Sequence, residues 1–205
     1  MATFRPKLLV FSDYVCPFCY LAVGVVQRLS QDYAIEIVWK NYEIHPETPS
    51  SGEQTSYEGE EAHAESRLLR ELNPELGRRI RLPPIVANTH LAHEAAEFAR
   101  EQDKFPEFHK RLFQAYFEQG LNIGELPVLV RLGTDVGLHP TALEQAISEH
   151  RYHNLIERSL QEKIWYGVYG TPTFVLGHYK VAGPQRYEVF QQLMLRVGAQ
   201  LRTTV

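Results

Sequence analysis

A short apolar run, Lys7–Phe11, gives way to Ser12-Asp13-Tyr14-Val15 and then at once to Cys16-Pro17-Phe18-Cys19. This junction constrains the chain more than any other feature. The run has the composition of a buried strand. From Phe18 onward the apolar residues recur as Phe18, Leu21, Ala22, Val25, Val26 and Leu29, the three-and-four spacing of a helix face. Pro17 lies at the expected first helical position, where its missing N–H costs nothing. Cys16 therefore falls at or beside the N-cap.

The rest of the chain follows from the same patterning. Ile35–Ile44 alternates as a second strand, so the first forty-odd residues read as a βαβ unit with parallel pairing. Glu47–Glu61, rich in Pro, Ser, Gly, Thr and Glu, reads as a mobile loop with Tyr57 its only aromatic. Helical periodicity then dominates. It runs through Glu58–Leu72, a helix capped by Asn88, Phe105–Tyr116, Leu126–Val136, a helix capped by Thr141 and ending at His150, and Leu155–Tyr166. Two short strands, Thr173–Leu176 and Tyr179–Ala182, flank Gly177-His178, a pair suited to a type II′ hairpin. Arg186–Val197 is a final helix. The order βαβ–helices–ββα implies an α/β fold whose single sheet is interrupted by an inserted helical domain, with the chain's tail beside its head.

Composition narrows the function. The chain has 205 residues, 44% of them hydrophobic, enough to bury about 70% of its unfolded surface without disulfide or metal staples. Net charge is −4, and the tightest basic group, Arg78, Arg79 and Arg81, reads as a solvated helix end, so no nucleic-acid partner is expected. No apolar stretch suits a membrane span, and Leu8–Phe11 is too short for a signal-peptide core. The expected location is the cytoplasm. The only two cysteines stand three positions apart. That loop is too short for entropic stabilisation, and a structural zinc site would need more ligands nearby, so the pair points to redox chemistry.

The chemistry follows from the helix N-terminus. The thiolate is the attacking species in disulfide exchange, and a helix N-terminus stabilises it. Cys16 is thus expected to form the mixed disulfide and Cys19, one turn deeper, to resolve it, while Pro17 and Phe18 set the local shape. Asp13 and His45 could tune the thiolate, although capping and packing explain them as well. His90 with His93, and His150 with His153, have helical i, i+3 spacing, but neither pair shows further ligands in sequence. All four are read as ordinary histidines, and no metal is expected. Glu58, Glu60 and Glu61 read as a solvated face, and Phe113, Tyr116 and Phe117 as core. Thr171-Pro172 opens the strand Thr173–Leu176; on sequence alone its bond could be trans, in a simple turn, or cis.

Several motifs carry a resemblance. Cys16-Pro17-Phe18-Cys19-Tyr20 resembles the C-P-W-C-Y motif of the DsbA-like thioredoxin-fold oxidoreductases, in particular the FrnE-like branch, with Phe18 in place of tryptophan. Gly167–Phe174 resembles that family's G-V-x-G-[VT]-P-T-F cis-proline loop. Asn88–His93 and Leu112–Phe117 resemble N-[ST]-x-x-A-H and L-F-x-A-Y-F of its inserted domain. The resemblance implies a thioredoxin-like domain at 1–48 and 164–205, an inserted helical domain at 49–163, and a cis-proline at Thr171–Pro172 beside the cysteines. It implies a thiol–disulfide oxidoreductase acting on a protein or small-molecule thiol or disulfide, with no bound cofactor beyond the Cys16–Cys19 couple and glutathione as a conceivable co-substrate. Two other functions remain open at this stage. One is a glutathione-dependent isomerase or transferase, as in the related 2-hydroxychromene-2-carboxylate isomerases and kappa-class glutathione transferases; in those the first active-site position looks like serine, so Cys16 with Cys19 retained disfavours this reading. The other is a chaperone-like binding module. Oligomeric state is unreadable.

Overall fold

A computed structural model describes residues 5–55 and 59–202. Tyr57 and Glu58, singled out above, lie outside the described residues. Strand β1 (Lys7–Ser12) leads into helix α1 (Pro17–Asp32) and strand β2 (Glu36–Asn41), and β1 and β2 pair in parallel. At the other end of the chain, β5 (Thr173–Leu176) and β6 (Tyr179–Ala182) form a hairpin, and α9 (Tyr187–Arg196) follows. Strands β3 (Glu53–Gln54) and β4 (Ile85–Val86) form a separate antiparallel ribbon. The main sheet has the order β2-β1-β5-β6, with β5 antiparallel to β1. Mixed pairing brings Pro172, just before β5, to the end of β1 from which Cys16 emerges.

β1 is central, and its continuous apolar sequence reflects burial on both faces. Leu8 and Val10 point to one side, where they meet Ala22, Val26 and Leu29 of α1 and Phe190 and Met194 of α9. Leu9 and Phe11 point to the other, against Tyr42, Val168 and Val175. The period of two that separates these sets is that of any extended strand. Gly177 sits at φ +60°, and His178 is not in the left-handed region, as a type II′ turn requires.

Between β2 and β5 lie α2 (Glu60–Leu72), α3 (Pro74–Arg79), α4 (His90–Glu101), α5 (Phe105–Phe117), α6 (Leu126–Asp135), α7 (Pro140–Ser148) and α8 (His153–Trp165). The apolar faces of α4–α7, with Leu76 of α3 packed against them, share one core around Phe108, Leu112, Phe113 and Leu129, and that core also takes in Tyr14, Cys16, Cys19 and Tyr20. The cysteines thus sit at the seam between the sheet and the helical block.

Four local expectations need adjustment. The Glu47–Glu61 segment is not wholly loop, because Glu53–Gln54 pairs with Ile85–Val86; two residues give too little alternation to read. The cap of α4 is Thr89 rather than Asn88, although the Asn88 side chain does accept from the His90 amide at 2.9 Å. The cap of α7 is His139, whose Nδ1 faces the Ala142 amide, because Pro140 occupies the first helical position and displaces Thr141 into the helix. Arg79 is more than a solvated helix end: it grips both carboxylate oxygens of Glu118, at 2.8 and 2.9 Å, and Glu118 also accepts from the Tyr20 hydroxyl.

Phe190 is fully buried and meets Phe174 edge-to-face at 4.6 Å, joining α9 to the sheet. Phe190→Ala should cost about 3–5 kcal/mol of unfolding free energy in urea titrations.

Candidate functional site: the Cys16–Cys19 pair

α1 begins where the sequence places it, with Pro17 in its first turn and Cys16 as the N-cap in extended conformation. Extended φ/ψ at Cys16 turns its side chain off the helix end, and no side-chain capping bond holds it there. The sulfur instead faces Cys19 and Thr171. Both cysteines are free thiols, Cys16 5% exposed and Cys19 fully buried. Cys16 Sγ lies 3.6 Å from the Thr171 carbonyl oxygen. The Thr171–Pro172 peptide is cis. The structure therefore brings Cys16, Pro17, Cys19, Thr171 and Pro172 to one place. Phe18, partly buried, packs against the same core.

The two thiols differ electrostatically. Cys16 is held below the ordinary thiol range, chiefly by a hydrogen bond from the Cys19 thiol; the Thr171 hydroxyl and the Cys19 amide add to this, against burial and the charge of Asp13. Cys19 is pushed well up, first by burial and then by its role as donor to Cys16. Ser12 and Asp13 offer Cys19 weaker compensation through the Ser12 hydroxyl and the Asp13 amide. Among the described residues, Ser12 Oγ and Thr171 Oγ1 are two of only three buried side-chain polar atoms without a conventional hydrogen-bond partner. Both flank the sulfurs. A buried hydroxyl is costly to leave without a partner, and here the sulfurs stand in that place.

Behind the pair lies a buried polar chain that the sequence did not reveal. Asp13, completely buried, accepts from the Tyr14 and Ile44 amides, each at 2.7 Å, and lies 3.3 Å from His93 Nε2. The opposite nitrogen of His93 meets Asn41 Oδ1 at 3.1 Å; Asn41 donates to Glu97, and Glu97 pairs with Arg100. This chain connects β1, the end of β2 and α4. His93 is thus a buried link, whereas His45 is half-exposed, 3.5 Å from Glu47, and takes no part. Phe113 stacks on Tyr20 at 5.2 Å and lies 5.1 Å from Tyr14, forming an aromatic wall beside the motif. Tyr116 and Phe117 are core, as expected.

The second histidine missed by sequence reasoning is His109, whose Nδ1 meets the Tyr14 hydroxyl at 2.9 Å between the rings of Trp39 and Phe105. Burial drives its pKa down to about 3. Its only legible signal was its place on the apolar face of Phe105–Tyr116.

With this geometry established, comparison with known proteins assigns the class. Residues 7–195 match the DSBA-like thioredoxin domain family, and the chain belongs to it. The fold is the thioredoxin-like DsbA fold, and the family is one of thiol oxidoreductases. The chain is 27% identical over 186 residues to the protein YwbO of Bacillus subtilis (strain 168), covering 89% of this chain and 92% of that protein. It superposes with a TM-score of 0.83 on a probable DsbA oxidoreductase, SCO1869, from Streptomyces coelicolor, at 21% identity and with 98% and 94% of the two chains covered. A cytosolic disulfide reductase, DsbM from Pseudomonas aeruginosa, superposes with a TM-score of 0.63 at 17% identity, covering 93% and 99%. No helix among the described residues is long and apolar enough to cross a membrane.

Two measurements test these electrostatics. In rate–pH profiles of alkylation, Cys16 should react first with a midpoint below the ordinary thiol value and Cys19 with one above it; Thr171→Val should move the Cys16 midpoint up. For His109 the folded pKa lies below the unfolded one. The unfolded state then binds the extra proton between about pH 6.5 and 3, so stability is full above that window and falls as pH drops through it. Thermal melts of wild type should show this slope, and His109→Phe should flatten it.

Proposed function

We propose that the protein is a dithiol–disulfide oxidoreductase that works through a mixed disulfide on Cys16. The single observation that carries this reading is a pair of adjacent free thiols, Cys16 as the N-cap of α1 with its sulfur 3.6 Å from the Thr171 carbonyl oxygen and Cys19 fully buried one turn on. Nucleophilic attack needs a thiolate at an edge that a partner can reach, and resolution needs a protonated thiol in reserve.

In the reducing direction the Cys16 thiolate attacks one sulfur of a substrate disulfide. The Cys16–substrate S–S bond forms, the substrate S–S bond breaks, and the first substrate sulfur leaves as a thiolate. Cys19 then gives up its proton, taken by that leaving thiolate. Its sulfur attacks Cys16 Sγ, closing the Cys16–Cys19 disulfide and expelling the second substrate sulfur, which is protonated by water. Two electrons pass from the cysteines to the substrate. The same steps reversed oxidise a dithiol. Once Cys16 is bonded to substrate, the Thr171 hydroxyl and Ser12 hydroxyl stand ready for whichever sulfur next carries charge. The Thr171 main chain, beside Cys16, is the edge along which an extended substrate would pair.

A polypeptide substrate fits this surface. Tyr169, two residues before Thr171, is 90% exposed, an aromatic anchor at the lip of the site. A glutathione complex is known for the DsbM relative, which makes glutathione a reasonable electron donor for recycling Cys16–Cys19. Reduction by glutathione would suit work in the cytoplasm.

Cys16→Ser should abolish reduction of a model protein disulfide, and Cys19→Ser should accumulate a mixed disulfide that migrates as a larger species on non-reducing gels. A Cys16→Ser variant reducing at the wild-type rate would refute the proposal. Equilibration of the wild-type pair against glutathione buffers, read by alkylation and mass shift, gives the potential and hence the direction.

A further inference from the structure

The two histidine pairs that looked unrelated in sequence come together in space. His90 opens α4, Glu94 follows one turn later on the same face, and His150 and His153 sit at the turn into α8. His150 Nδ1 lies 2.8 Å from Glu94 Oε1, His90 Nε2 lies 3.4 Å from the same oxygen, and His153 Nδ1 lies 3.2 Å from His90 Nε2. One ligand atom from each of His90, Glu94 and His150 falls within 4.8 Å of the others. Within each pair the histidines stand at i, i+3, but the residue that His90 Nε2 faces on its own helix is the glutamate at i+4.

From this convergence we propose that His90 Nε2, the Glu94 carboxylate and His150 Nδ1 form a binding site for a divalent transition metal of the zinc class, distinct from the cysteine pair. Tetrahedral zinc with ligands at about 2.0–2.1 Å separates neighbouring donor atoms by about 3.3 Å, and the distances between these donors bracket that spacing. Two imidazoles and one carboxylate are a donor set that zinc favours, with a fourth position for water or for His153 alongside. The supporting shell is present as well. His90 Nδ1 meets the buried Glu43 carboxylate at 2.8 Å, which fixes the ring with Nε2 turned inward, as carboxylate partners do for metal-bound histidines. Glu94 is completely buried, and its second oxygen accepts from the Tyr152 amide at 3.2 Å, leaving Oε1 to the imidazoles. His150 holds a left-handed conformation, φ +49°, which is uncommon for a residue with a Cβ and aims its ring back at Glu94. Its side chain is 60% exposed, so an ion has a path in from solvent. A metal here would clip α4 to the α7–α8 turn and, through Glu43, to the segment that leaves β2.

The test uses the full chain carrying Cys16→Ser and Cys19→Ser, so that thiols cannot bind the probe. Zinc chloride is titrated calorimetrically, and cobalt(II) absorption reads the coordination. The expected result is one equivalent bound, tetrahedral cobalt bands without thiolate charge transfer, and a rise in Tm with zinc. Glu94→Gln should weaken zinc at least tenfold. His150→Ala, at a largely exposed side chain that the fold does not need, should do the same and abolish the Tm rise, whereas His178→Ala on the distant hairpin should change neither. Absence of saturable binding, or affinity unchanged by His150→Ala, overturns the proposal and leaves the cluster as a hydrogen-bonded network only.

Discussion

The buried Asp13 carboxylate organises the rest of the structure. A carboxylate removed from water is tolerable only when its oxygens are fully engaged. Asp13 meets that requirement with partners from three separate places: its own neighbour Tyr14, Ile44 after β2, and His93 of α4. These bonds can form together only if β1, β2 and the helical block are already in register. The same residue fixes the turn that delivers Cys16, since the Cys16 amide donates to the Asp13 carbonyl at 3.3 Å. Placement of the Cys16 sulfur and attachment of the helical block to the sheet are therefore one constraint.

That constraint also explains why the two cysteines differ so strongly. The chain leaves β1 through Asp13 and Tyr14, both sealed by α4 and α5, and enters α1 with Cys16 just under the surface beside Thr171 and Cys19 one turn deeper. Depth alone penalises the Cys19 anion, and its proton is then best used as a hydrogen bond to Cys16. Lowering one thiol and raising the other are not two adaptations. Both follow from a helix whose first turn runs from the Thr171 backbone deeper into an apolar core shared with Phe113 and Tyr20.

The parts of this arrangement legible in sequence are those set by local rules. Local pattern located β1, α1, β5, β6 and α9: β1 and β5 as short apolar runs, β6 by its place across the Gly177 turn, and the helices by three-and-four spacing. Pro17 marked the helix start for a reason contained in its ring. The Gly177 turn was equally local. What escaped the sequence is what depends on partners far along the chain. Asp13 and His93 are 80 residues apart, and neither neighbourhood hints that both will be buried. His109 looked like one polar position on an apolar helix face, yet tertiary packing sealed it against Trp39. The β3–β4 ribbon has too few residues to express any period. His139 displaced Thr141 as a cap because Pro140 between them claimed the first helical position, a competition between two local rules that propensity alone does not rank.

The helical block shows how an insertion can serve a site without contributing a reacting atom to it. Its helices supply His93 against Asp13, Phe113 against Tyr14 and Tyr20, and Glu118 against Tyr20 and Arg79. The contacts to Asp13, Tyr14 and Tyr20 bear on residues within three positions of the C-x-x-C segment. A sheet with α1 and α9 alone would leave Tyr14, Cys19 and Tyr20 facing water, and the desolvation that raises the Cys19 thiol would be lost. Covering that side raises the inner thiol while the outer one keeps its edge at Thr171. The helical block thus completes the burial of Cys19, and the difference between the two thiols is a property of the seam rather than of either part.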